Sequence, residues 1–84
     1  MIYTLFVNNY NINWSKNDNI ICISMPNFSV EMNESDRLLP ESLMTKFREL
    51  NWSPKAITNF KNYLQEKNCD SGMRLNPKTG SLTL

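Results

Sequence analysis

Residues 10–25, YNINWSKNDNIICISM, decide the fold. Tyr10, Ile12 and Trp14 alternate strictly with Asn11 and Asn13, the period of a strand with one buried face. Ser15-Lys16-Asn17-Asp18 is a polar corner, and residues 20–25 form a second apolar run. Two strands joined by a short polar corner pair antiparallel. Working outward, residues 2–7 are another apolar run rich in β-formers, interrupted at Asn8-Asn9. On the other side, Phe28, Val30 and Met32 alternate with Ser29, Glu31 and Asn33. Two arrangements accommodate this pattern. In a long bent ribbon, residues 2–14 turn at 15–18 and pair back along 19–32. Asn8-Asn9 then lies opposite Pro26, which cannot donate to a ladder and belongs at a bulge or an edge. The other arrangement is a meander of four short strands with tight turns at Asn8-Asn9 and near Pro26. The ribbon is the preferred expectation.

The pattern changes after a polar linker, residues 33–39. Pro40 suits the first position of a helix, where its missing N–H has no helical partner to lose. Leu43, Met44, Phe47 and Leu50 recur at helical spacing, so a helix is expected over about 40–51. A second helix carries clearer signals. Ser53 is a good N-cap, Pro54 follows it, and Trp52 with Ile57 fits a hydrophobic staple. Ala56, Ile57, Phe60, Tyr63 and Leu64 form its apolar stripe, and Asn68 or Gly72 would end it. So short a joint forces the two helices to pack together or cross sharply.

The last segment reads as a β-hairpin. Met73, Leu75, Leu82 and Leu84 flank Asn76-Pro77-Lys78-Thr79-Gly80, where proline presets a corner and glycine can take positive φ. The expected fold is therefore one α+β domain over 1–84. It comprises an N-terminal antiparallel ribbon or meander, a two-helix unit and a C-terminal hairpin joining the same sheet. The helices cover one sheet face.

At 84 residues the chain buries only about 60% of its unfolded surface, so its core must be used efficiently. The apolar share of 40% is enough for that core and too high for disorder. The 13 asparagines suit an AT-rich genome such as that of a phage or mobile element. Net charge is +1, unevenly spread. Residues 1–36 carry one lysine against four carboxylates, whereas residues 37–84 carry eight basic side chains against four acidic ones. A basic second half is compatible with an anionic partner, but the excess is modest.

Cys22 and Cys69 have neither metal nor redox spacing, and Cys22 in its apolar run reads as a small hydrophobe. The apolar start is short and lacks a positive leader, and no segment approaches the ~20 apolar residues of a membrane span. A cytoplasmic protein without membrane partners is expected.

The sequence contains no histidine, which removes the commonest general base and metal ligand. Its two glycines, Gly72 and Gly80, make no phosphate loop. Glu31, Glu34 and Asp36 are the only acidic cluster, and they lack the spacing of a calcium loop. No catalysis, cofactor or metal is expected.

The expected function is a non-catalytic protein-binding module, of the kind a phage or mobile element encodes as an inhibitor or adaptor. Its partner would cover the face formed by Tyr10, Ile12 and Trp14, or a second copy would pair along a β-edge. The alternative rests on element order in residues 40–84, which resembles in outline the second half of a winged helix. That resemblance implies a nucleic-acid-binding regulator. Lys55, Thr58, Asn59 and Asn62 on the polar face of the second helix would reach base edges, and Arg74 and Lys78 would touch phosphate.

Overall fold

The computed structural model describes residues 2–66 and 72–84. Its elements run β1 (Ile2–Phe6), β2 (Asn11–Asn17), β3 (Ile20–Met25), β4 (Phe28–Asn33), α1 (Glu41–Glu49), α2 (Pro54–Gln65), β5 (Met73–Leu75) and β6 (Leu82–Thr83). All six strands form one sheet in the order β4-β3-β2-β1-β5-β6. Every pairing is antiparallel except β1 with β5, which is parallel. The architecture is α+β as the sequence implies, and the C-terminal hairpin does join the N-terminal sheet.

The first four strands form the meander, not the ribbon. Asp18, at φ 53°, makes the first corner of a two-residue turn that closes on the pair Asn17 and Ile20. Pro26 is not a bulge: it presets the first corner of a second two-residue turn, closed by Met25 and Phe28. Asn27 takes φ 60° at the next corner, where only glycine and asparagine are comfortable. The Asn8-Asn9 break becomes a four-residue loop in which the Val7 N–H donates to the Tyr10 carbonyl at 2.9 Å.

Both helices lie on one face of this sheet. Ser53 caps α2 as expected, its hydroxyl accepting from the Ala56 N–H at 3.1 Å. Such a cap contributes about 1 kcal/mol. Pro40 sits one position earlier than expected, at the N-cap of α1, with φ −55° and ψ 143°. Between the helices, Asn51 adopts φ 63°. The Asn51 N–H then returns to the Arg48 carbonyl and the Trp52 N–H to the Phe47 carbonyl, both at 3.0 Å. This paired pattern is a Schellman motif, and it satisfies carbonyls that the end of α1 would otherwise leave open. The matching hydrophobic contact is present: the rings of Phe47 and Trp52 stack at 3.9 Å. Trp52 also meets Phe60 edge-on at 5.9 Å, and Ile57, its expected staple partner, packs against the same cluster.

The core is a single cluster built from Leu5, Ile12, Trp14, Ile21 and Ile23 of the sheet against Leu43, Phe47, Ala56, Phe60, Tyr63 and Leu64 of the helices. Ile57, Met44 and Leu50 are half-buried at its margin. Each fully buried large side chain contributes about 1.5–3 kcal/mol.

The turn between β5 and β6 is pinned to the start of α2. Ser53 N–H donates to the Pro77 carbonyl at 2.9 Å, and the Asn59 amide donates to the Gly80 carbonyl at 2.7 Å. Gly80, at φ 81°, is so close to α2 that a Cβ would stand 2.7 Å from Asn59 Nδ2 and 3.1 Å from the Ala56 nitrogen. The chain's lone alanine therefore lies where the turn rests on the helix. The α2 terminus is Gln65, with Glu66 as C-cap; the expected stop at Asn68 lies outside the described residues.

Candidate functional site

Because the helices occupy one side of the sheet, the alternation that buries Ile12, Trp14, Ile21 and Ile23 turns their neighbours outward. The registers align these outward residues in rows. One row runs Ile2, Ser15, Cys22, Glu31, and the next runs Thr4, Asn13, Ser24, Ser29. Apart from Ile2 and Glu31 these side chains are small and uncharged, and all but Thr4 line a shallow depression of about 460 Å³. The Thr4 hydroxyl donates to the Asn13 side-chain carbonyl at 3.0 Å on the same face. Large apolar side chains border the face: Ile2 is 70% exposed, Ile20 38% and Phe6 37%. Arg74 of β5 holds its guanidinium 6.0 Å from the centre of the Phe6 ring, a cation–π arrangement on the same surface. Cys22 is a half-buried free thiol in the middle of this face, not a core residue.

The residues expected to meet a partner lie elsewhere. Ile12 and Trp14 are 0% and 1% exposed, because α2 covers the apolar side of β2. The Trp14 indole N–H donates to the Tyr63 hydroxyl at 3.2 Å. Tyr10 is half-buried in the loop before β2, and its hydroxyl accepts from the Trp52 indole N–H at 2.7 Å. Burial pushes the Tyr10 phenol above its ordinary value, and the Trp52 donor opposes that by favouring the phenolate. These three side chains therefore form no open aromatic face; they join sheet to helices.

The nucleic-acid set is likewise divided. Lys55, Thr58 and Asn62 are exposed on α2, and Lys78 is exposed on the β5–β6 turn that rests against the start of that helix. Asn59 is occupied by the Gly80 carbonyl, so it is a brace, not a free reader of base edges. Arg74 points from the opposite side of the sheet. The hairpin continues the sheet beside β1 and does not stand free as a wing. Of the acidic trio, Glu34 pairs with Lys16 at 3.4 Å and Asp36 accepts from the Asn33 N–H. Among the described residues no group of three or more potential ligands could hold a metal ion, and no helix is long and apolar enough to cross a membrane.

Alternation alone could have flagged the outer face, since Asn11, Asn13 and Ser15 had to point away from Ile12 and Trp14. What it lacked was the side on which the helices dock. Comparison with family models, with curated proteins and with solved structures returns no match.

Proposed function

We propose that this chain is a cytoplasmic, non-catalytic protein-binding module that engages its partner with the outer face of the sheet. One observation carries the reading: two helices cover one side of a six-stranded sheet, and the other side keeps Ile2, Phe6 and Ile20 exposed around a floor of small residues. A largely uncharged floor with an apolar border suits a protein surface better than phosphate. The absence of histidine supports a role without acid–base chemistry. The asparagine-rich composition is in keeping with an inhibitor or adaptor from a phage or mobile element.

The test uses a photo-crosslinking side chain placed at Ser24, exposed on the outer face, or at Thr58, exposed on α2. In extract of the source cells, the Ser24 probe captures a protein and the Thr58 probe does not, and Phe6→Asp with Ile20→Asp abolishes the capture. Crosslinking to nucleic acid from Thr58 alone, weakening steeply with salt, would replace this reading with the nucleic-acid one.

A further inference from the structure

We infer that β4 is a self-complementary edge and pairs antiparallel with β4 of a second copy, centred on Val30. This rests on the protein-binding reading but uses a different part of the surface. The β3–β4 turn has two residues and closes on Met25 and Phe28, so that pair exchanges backbone hydrogen bonds. The exchange then recurs at Ile23 with Val30 and at Ile21 with Met32. Ser29, Glu31 and Asn33 therefore direct their N–H and C=O groups to the free edge. Asp36 already closes the last of them: its carboxylate accepts from the Asn33 N–H at 3.2 Å, and its own N–H donates to the Asn33 carbonyl at 3.0 Å. Among the described residues the backbone groups of Ser29 and Glu31 remain without a partner strand, two donors and two acceptors with a strand's spacing.

Glu31 is the one charge that β4 sets against pairing at this edge. The strand has no proline or lysine, and its six unbroken pairs with β3 leave no bulge. The opposite edge, β6, has only two residues. Phe28 and Val30 are half-buried, while the residues they face on β3, Met25 and Ile23, are 6% and 1% exposed. An apolar fringe is thus left at the rim of the core.

A second copy satisfies the edge in one register. With Val30 opposite Val30 of the second copy, Ser29 and Glu31 exchange backbone bonds with Glu31 and Ser29 of that copy. Phe28 meets Met32 on the inner face, extending the fringe across the junction. Each Glu31 carboxylate stands opposite a serine. A shift placing Glu31 opposite Glu31 would instead set like charges face to face and is disfavoured. The outer faces of both copies stay open, so dimer and partner binding coexist.

The experiment combines sedimentation with disulfide trapping in a Cys22→Ser, Cys69→Ser background. The chain sediments at twice its 9.8 kDa mass at high concentration. Ser29→Pro, which removes an N–H that β3 does not use, returns it to the single mass with an unchanged circular dichroism spectrum. Val30→Cys oxidises to a covalent dimer, because a central non-hydrogen-bonded pair brings Cα atoms to about 4.5 Å, within disulfide range. Ser29→Cys stays reduced, since its two copies lie diagonally at about 7–8 Å. A chain that remains at the single mass at millimolar concentration, or one in which Ser29→Cys crosslinks and Val30→Cys does not, overturns the inference. If that monomer still captures a protein from Ser24, the dimer fails and the binding reading stands.

Discussion

The indole N–H of Trp14 donates to the hydroxyl of Tyr63 at 3.2 Å across 49 residues of chain. The Trp14 ring also stacks on Tyr3 at 4.5 Å and meets Tyr63 edge-on at 5.6 Å. One side chain therefore ties β1, β2 and α2 together at the centre of the core. Tyr63→Phe keeps the ring and deletes the acceptor, leaving a donor on a side chain that is 1% exposed. The expected cost is about 1–3 kcal/mol. Denaturant unfolding checks it, and the Trp14→Phe, Tyr63→Phe double variant loses less than the two single losses together.

Asn51 supplies the second prediction. Its positive φ is the condition for the Schellman closure that angles α2 away from α1. Asn51→Ala keeps the β-carbon but removes the short amide side chain that lets asparagine tolerate left-handed backbone, costing about 1 kcal/mol. Asn51→Gly stays within about 0.5 kcal/mol of the parent, because glycine reaches this conformation freely but loses more entropy on folding. Thermal unfolding of the two variants gives opposite rankings if the joint is held by contacts rather than by backbone conformation.

The third prediction concerns alkaline pH. Burial raises the Tyr10 phenol above its ordinary value of 10.0 in the folded chain. A group whose pKa is raised by folding contributes stability that is complete below the unfolded value and is lost as pH climbs through the folded one. Unfolding midpoints of the parent therefore fall as pH rises beyond 10.0, and Tyr10→Phe flattens that fall. An identical alkaline slope in both proteins would mean that Tyr10 ionises as freely folded as unfolded.

Local signals carried much of the architecture. Ser53-Pro54 followed by Ala56, Phe60, Tyr63 and Leu64 gave α2 its start and its buried side, because capping and periodicity need only neighbours in sequence. The turn at Asn76–Gly80 was legible for the same reason. Pro26 suits both a bulge and a turn corner, and the positive φ of Asn27 after it decides for the corner. Tyr10, Ile12 and Trp14 read as one alternating apolar set, and the structure buries Ile12 and Trp14 and half-buries Tyr10. Alternation identifies an apolar face without saying whether helices twenty or more residues downstream will cover it. Asn59 and Arg74 failed as a joint site for a similar reason: the parallel pairing of β1 with β5, which sends Arg74 to the far side of the sheet, has no local signature.

That β1–β5 pairing also orders events during synthesis. Leu5 and Phe6 precede their neighbours Met73 and Arg74 by 68 residues in the chain. Until the ribosome has released them, a growing chain can assemble the four-strand meander and its helices but must leave one flank of β1 bare. Closing a loop of that length is slow compared with forming hairpins. The nascent protein thus passes through a stage with two sticky flanks instead of one, and it is then that a chaperone or an early partner would find it most receptive.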